Sequence, residues 1–439
     1  MKNRFIWGLG IGLMLPFLAG CPRAGNPTGQ GDQASAGSAA PEEAPEAGPQ
    51  AAREEPGSVR AAKKEWQPGV HRLGAGPFPG TSSVVVVHQR PLLFTRELSQ
   101  GAEGGGSAEG LIAKLSSILE AGGTDLTRLV RLNVYGASLE DVEAFLSQLP
   151  KLLPEGCPPV VTAVVMPHPD PLEKLAIDAI AAVEGEAAAV TVKSVPPRPA
   201  HVGPADYSLA PAGNLVFLSG RPEKGETAEA AQASIKGQLA LAAELGCGPA
   251  DVVQLRVFLA KIKDTPTVFD AIRSAFSDRP VPPVSFAFWI ASAPVEIEMI
   301  ACRPKAADND GEGTGPIRFY NPPDVKPSPN FSRAAVVNSP TLIFTAGFLA
   351  REDGDGTRQT RDVFSQLTEA LGSAGSDLRH GAKAHYFVSD DDAAKAVDVL
   401  RKEYLDPARP PAASKAKVHG LGRPGRSVCI DWISVPGDS

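Results

Sequence analysis

The hydrophobic and polar positions along the chain form one pattern that is repeated three times. In the middle third, an apolar stretch at Asn214–Ser219 is followed by an amphipathic segment, Ala228–Leu245, whose apolar residues recur every three or four positions. A second apolar stretch, Val252–Leu259, precedes a segment that opens with Asp264-Thr265-Pro266, a helix cap with proline in the first turn. Apolar residues then alternate over Val295–Met299. These periods predict strand, helix, strand, helix and closing strands.

The first and last thirds of the chain predict the same two helices. Their amphipathic periods place helices at Leu111–Leu119 and Leu139–Leu152 in the first third. In the last third the corresponding helices are at Gln359–Leu371 and Asp391–Tyr404. The order of elements is therefore the same in each third.

Two further landmarks recur at intervals of about 125 residues, a proline pair and a closing strand with an acidic residue. They are Pro158-Pro159, Pro282-Pro283 and Pro410-Pro411, and Ala176-Ile177-Asp178, Glu296-Ile297-Glu298 and Cys429-Ile430-Asp431. The repeats predict three tandem α+β units. The units cover 78–186, 200–304 and 317–437, with a linker at 305–316.

The start of the chain has the pattern of a secretory signal. Lys2 and Arg4 precede an apolar run, Phe5–Phe17, and residues 1–20 are predicted to be a signal peptide. Leu18-Ala19-Gly20-Cys21 resembles the lipobox of bacterial lipoproteins, which implies acylation of Cys21 and a lipid anchor in the cell envelope. An ordinary signal peptide with a chance cysteine is the alternative. The rest of 21–68 is rich in Ala, Gly, Pro and Glu, which predicts a disordered tether.

Composition narrows the choice of partners. The 439 residues include 43 basic and 50 acidic ones, and only 6% are aromatic, so nucleic acid is not an expected partner. The seven histidines are scattered, and no metal or cofactor is predicted. The glycine-rich stretch at 101–110 lacks the Gly-Lys-Ser/Thr of a phosphate loop. Without Cys21 four cysteines remain, in no framework spacing, which favours separate buried thiols over a disulfide.

The second unit resembles the RidA/YjgF family of reactive-intermediate imine deaminases. Tyr207-Ser208 and Gly213–Gly220 are similar to the opening strand pair of that family, and Val295–Ala301 is similar to its closing strand. The third unit is similar at Phe331-Ser332, whereas Phe94–Glu97 of the first unit lacks the Ser-Gly turn. The resemblance implies a chorismate-mutase-like fold, a mixed sheet backed by two helices, and trimers with ligand clefts between subunits.

Three copies in one chain lead to the hypothesis of an intramolecular pseudo-trimer that is monomeric in solution. Covalent linkage would raise the effective concentration of the units for one another. Independent units along the chain, or mixed oligomers between chains, are the alternatives.

The resemblance implies hydrolysis of 2-imino or enamine acids to keto acids and ammonia, a hydrolase reaction at a C=N bond. In the family an arginine after the proline pair binds the substrate carboxylate. Here Val160, Val284 and Ala412 occupy that position, and a family cysteine two residues later is replaced. A hydrogen bond to a charged group contributes about 1.5–3 kcal/mol, so its loss predicts weak or absent deaminase activity.

The resemblance also indicates candidate site residues. Glu298 takes the place of a glutamate that positions water, and is the candidate catalytic residue; pairing with a neighbouring unit is its alternative role. Tyr207, Ser219 and Gly220 are predicted to line the cleft with Val284, and Arg221 is a candidate replacement cation. The leading hypothesis is a small-molecule-binding protein with inter-unit clefts. A deaminase of altered specificity and an envelope scaffold are the alternatives.

Overall fold

The computed structural model describes residues 64–100, 107–199, 202–277, 279–304 and 315–437. The predicted signal peptide, Cys21, the predicted tether up to residue 63 and most of the predicted linker at 305–316 lie outside these residues. The described residues form six α-helices and 21 β-strands, which fall into three segments of the same element order.

The first segment contains β1 (Gly69–Ala75), β2 (Ser82–His88), β3 (Leu92–Thr95), β4 (Leu98–Ser99), α1 (Ala108–Ala121), β5 (Leu129–Gly136), α2 (Leu139–Leu152), β6 (Val160–Val165) and β7 (Leu175–Ala182). The second contains β8 (Thr191–Lys193), β9 (Tyr207–Ala210), β10 (Leu215–Glu223), α3 (Thr227–Glu244), β11 (Val252–Leu259), α4 (Thr265–Phe276), β12 (Val284–Phe288) and β13 (Val295–Cys302). The third contains β14 (Ile317–Tyr320), β15 (Ala334–Val337), β16 (Thr341–Thr345), β17 (Phe348–Leu349), α5 (Gly356–Ser373), β18 (Gly381–Val388), α6 (Asp391–Tyr404), β19 (Ala412–Lys417), β20 (Gly420–Leu421) and β21 (Val428–Ser434).

The six predicted helices are confirmed. Four begin at a side-chain cap that satisfies a free backbone N–H, at Ser107, Ser138, Asp355 and Asp390. Each helix buries its apolar face, while the strands β5, β11 and β18 are buried along their whole length. No helix among the described residues is long and apolar enough to cross a membrane.

Each segment contributes four strands to the core of one mixed sheet. The orders are β6-β5-β7-β3, β12-β11-β13-β10 and β19-β18-β21-β16. In each sheet the first pair is parallel and the others are antiparallel. The expected mixed α+β class is confirmed by these three sheets.

The opening strands of each segment lie in the sheet of another segment. β9 pairs with β3 of the first segment, β15 pairs with β10 of the second, and β2 pairs with β16 of the third. The strands β8, β14 and β1 then form the outer partners of β9, β15 and β2. This exchange runs in a closed cycle through all three segments.

The prediction that Tyr207-Ser208 and Gly213–Gly220 form one strand pair is wrong. Both strands exist, as β9 and β10, but they belong to different sheets. The backbone N–H and C=O groups at the edge of each strand need hydrogen-bond partners. β3 provides them for β9, and β15 provides them for β10, as well as β9 and β10 would for each other.

Candidate functional site

Charged side chains from all three segments meet in the interior. We define the central charge cluster as the side chains of seven residues, each at most 7% exposed as a whole residue: Arg131, Asp178, Arg256, Glu298, Lys383, His385 and Asp431. Its three acids occupy equivalent positions on β7, β13 and β21, each opposite a polar residue of β5, β11 or β18. Burial of so many charges requires close pairing, because each ion loses its hydration.

The pairs of this cluster connect the segments in a cycle. The distances are 3.0 Å for Arg131 Nη1 to Asp431 Oδ1, 3.4 Å for Arg256 Nη2 to Asp178 Oδ2 and 2.6 Å for Lys383 Nζ to Glu298 Oε2. Three contacts to backbone carbonyls repeat the cycle, from Arg131 to Thr345, from Gln254 to Thr95 and from Lys383 to Leu218. Every pair of segments is therefore joined by at least one ion pair and one such hydrogen bond. We number the junctions first (first and second segments), second (second and third) and third (third and first).

Glu298 is held by residues of the third segment. Its Oε1 lies 2.9 Å from His385 Nε2, and its Oε2 accepts a hydrogen bond from Ser414 Oγ at 2.7 Å. Burial alone would raise the pKa of Glu298, but His385 and Lys383 hold it well below the usual value. Glu298 is therefore ionised, with the contacts of a carboxylate paired across a junction.

Glu296 lies beside Glu298 and behaves in the opposite way. Burial, together with the charge of Glu298, raises the pKa of Glu296 to about 8. A Cβ added to Gly220 would lie 1.7 Å from Glu296 Oε1, so the Glu296 carboxyl packs against a glycine that no other residue can replace without a shift. Two carboxyl groups whose environments separate their pKa values are suited to be an acid and a base.

Ser219 and Gly220 complete the second junction. The Gly220 N–H donates to Ser414 Oγ at 3.2 Å, and Ser219 Oγ donates to the Ser332 carbonyl and accepts from the Ala413 N–H. The structure thus brings together three predicted site residues, Glu298, Ser219 and Gly220.

The other predicted site residues lie elsewhere. Arg221 follows Gly220 within β10, but its side chain is 46% exposed and pairs with Glu223. The Tyr207 hydroxyl donates to the carbonyl of Ala121, at the end of α1 in the first segment. Val284 is buried in the first junction, where its carbonyl accepts from the N–H of Glu97.

Sequence reasoning did not select Glu296. The signal for it was present, because residues two apart on a strand share one face. Glu296 and Glu298 therefore face the same side of β13.

The first junction contains an apolar groove of about 470 Å³. Its apolar lining comes from Pro169 of the first segment and from Pro204, Ile262, Pro266, Phe269 and Phe286 of the second, with Lys263 and Thr265 also on its walls. The backbone N–H of Phe286 donates to Glu97 Oε2 at 2.7 Å. The groove therefore lies next to the part-buried carboxyl group of Glu97.

The thiols and acids of the described residues offer no metal site. No group of three His, Cys, Asp or Glu side chains within them is arranged to hold a metal ion. Cys157, Cys247, Cys302 and Cys429 are free thiols, as predicted, but only the last three are buried and Cys157 is half-buried. Burial raises the pKa of Cys247 and Cys302 to about 12, so both are protonated and unreactive.

Residues 323–435, within the predicted third unit, match the family model described as Endoribonuclease L-PSP. The third segment is RidA/YjgF-like. The RidA-like match covers the four core strands of the third sheet together with α5 and α6. No curated protein matches the chain.

Several solved structures are similar to parts of this chain. A YjgF-family protein from Neisseria meningitidis is 26% identical, with 28% of this chain and 97% of that chain covered and a TM-score of 0.22. A member of the YjgF/YER057c/UK114 family from Mycobacterium tuberculosis is 28% identical, with 21% and 77% covered and a TM-score of 0.20. A chorismatase is 13% identical, with 79% and 99% covered and a TM-score of 0.24.

Proposed function

We propose that this RidA-like protein binds a small apolar molecule in the groove of the first junction. The observation that carries the proposal is the lining of that groove, in which Phe269 and Phe286 face three prolines and Ile262. A volume of about 470 Å³ lies within the usual ~300–1,000 Å³ of small-molecule sites. Val284 supplies no cation there, and the Lys263 on its wall is exposed to solvent, so the groove favours a predominantly apolar ligand.

The proposed architecture is an intramolecular pseudo-trimer of three RidA-like units that is monomeric in solution. The closed strand exchange and the cyclic ion pairs support it, because each unit completes its sheet and its charges only with another. We further propose a lipid anchor on Cys21 that holds the protein in the cell envelope. Metabolic labelling with a palmitate analogue, lost in Cys21→Ser, tests the anchor.

Binding in the groove is tested with the neutral dye Nile red and the full chain. We expect Phe286→Ser to weaken binding of the dye at least tenfold, because burial of an aromatic side chain contributes about 1.5–3 kcal/mol and 1.4 kcal/mol is a factor of ten. Phe319→Ser removes a half-buried aromatic residue outside the groove and is the matched control. Equal affinities in the wild type and both variants would refute the groove as the binding site.

A second candidate function is imine hydrolysis at the second junction. The protonated Glu296 beside the ionised Glu298 favours it, because such a pair is suited to donate a proton to a leaving amine and to orient water. Ser414 Oγ and the Gly220 N–H provide polar groups next to both carboxyls.

This second candidate predicts ammonia release from imines that are generated in situ from amino acids. We expect Glu296→Gln to reduce that rate at least a hundredfold, the usual lower contribution of a general acid. Glu352→Gln, at an exposed glutamate of the third segment, is the control. A folded wild-type protein that releases no ammonia above background would leave binding as the proposed function.

A further inference from the structure

Glu97 lies at a position where the other two segments have glycine. Phe94, Phe217 and Phe344 pair with equivalent residues of the closing strands, and the third residue after each is Glu97, Gly220 and Gly347. A Cβ on Gly220 would lie 1.7 Å from Glu296 Oε1, and one on Gly347 would lie 2.9 Å from Cys429 Sγ. The first junction therefore has room for a side chain at this position, and the residue there carries a carboxyl group.

The carboxyl group of Glu97 is held in the way that a bound carboxylic acid would be, by a backbone N–H. Its Oε2 accepts the backbone N–H of Phe286, whose side chain lines the groove of the first junction. No cation pairs with Glu97 in the described part of the chain, since the adjacent Arg96 is bound to Asp206 at 2.7 Å. Burial raises the pKa of Glu97 to about 8, so the group is a neutral acid at pH 7.

We propose that Glu97 is an internal ligand, whose carboxyl group fills a carboxyl-binding position of the first junction and keeps small monocarboxylic acids out of it. This inference rests on the proposed function and specifies the ligands of the groove. The groove is restricted to uncharged apolar ligands because the carboxyl group of Glu97 already occupies the position that an acid would take. Beyond its Cα the glutamate side chain has the carbon skeleton of propionic acid. Replacement by glycine should therefore create a site for propionic acid.

The test is chemical rescue in the full chain. We expect Glu97→Gly to bind propionate at least tenfold more tightly than the wild type, and more tightly at pH 5 than at pH 8, since within the described residues Glu97 forms no ion pair that an anion could take over. Propionate should also raise the melting temperature of this variant, because a ligand stabilises the state that binds it. Glu97→Gln keeps the position filled, so it should behave like the wild type.

Two results would overturn the inference. One is a folded Glu97→Gly variant whose affinity for propionate equals that of the wild type. The other is equal binding by Glu97→Gln, which would show that the charge matters and the vacated space does not. If Glu97→Gly does not fold alone, propionate must restore its folding where chloride does not, and failure of this rescue also overturns the inference.

Nile red separates this inference from the proposed function. Propionate binding by Glu97→Gly together with loss of dye binding in Phe286→Ser supports both. Propionate binding with no dye binding in the wild type would support the carboxyl position but refute the groove function. Dye binding by the wild type without propionate binding by Glu97→Gly would support the groove function and refute the carboxyl position.

Discussion

Arg131→Met should lower the free energy of unfolding of this protein by about 3–5 kcal/mol, the usual cost of leaving one partner of a buried ion pair alone. Arg131 belongs to the first segment and lies 3.0 Å from Asp431 of the third, and both side chains are at most 2% exposed. Arg131 also donates to the carbonyls of Thr345 and Trp432. The substitution therefore leaves a buried carboxylate and two carbonyls without this donor, at one junction of the cycle.

Two control variants isolate the effect of burial. Arg361→Met removes the ion pair of Arg361 with Glu403, whose side chains are 50% and 49% exposed, and should have little effect because solvent screens an exposed pair. Arg131→Lys introduces the residue type that the third segment uses at 383, and should cost less than the methionine. Urea titrations followed by tryptophan fluorescence measure all three. If Arg131→Met costs no more than Arg361→Met, the central charge cluster does not hold the segments together.

The helices were predictable because their signals are local. The apolar period of Leu139–Leu152 and its capping serine, Ser138, lie within a single stretch of chain, and the helix has the predicted bounds. The same holds for Asp391–Tyr404 behind Asp390. An amphipathic period identifies a helix without information about the surface that it packs against. Tertiary packing therefore left the predicted bounds of these two helices unchanged.

Strand pairing was not predictable in the same way. A repeat gives each segment the same strands, and the alternating pattern of β9 fits the edge of β3 as well as that of β10. Pairing within a segment and exchange between segments then satisfy the same number of backbone groups. The choice depends on the path of the connecting chain, which the sequence pattern does not encode.

The candidate site was predictable only in part. Ser219, Gly220 and Glu298 were found because they match a family pattern on one unit. Their partners, Ser414 and Lys383, come from the third segment, more than eighty residues away in the chain. Glu97 was not found either, since its role follows from the space at a junction and not from its neighbours in sequence.

Two glutamates, the part-buried Glu97 and the buried Glu296, should make the protein less stable as the pH rises from 5 to 8. Burial raises the pKa of Glu97 and of Glu296 to about 8, from 4.5 in the unfolded chain. Below pH 4.5 both states hold these protons and the full stability is present. Between pH 4.5 and 8 the unfolded chain releases protons that the folded protein keeps. Each group then lowers the free energy of unfolding by up to ~1.4 kcal/mol per pH unit.

Glutamine substitution measures each contribution separately. Glu97→Gln and Glu296→Gln should each raise the free energy of unfolding at pH 8, by on the order of a few kcal/mol, and change it little at pH 4.5. Glu298→Gln, two residues away on the same strand, should do the opposite. Its carboxyl has a lowered pKa and stabilises the fold above pH 4.5, so its loss should destabilise the protein at neutral pH. Urea titrations at pH 4.5, 6 and 8 resolve these slopes. A Glu97→Gln variant that is destabilised equally at all three values would mean that Glu97 is ionised in the folded protein.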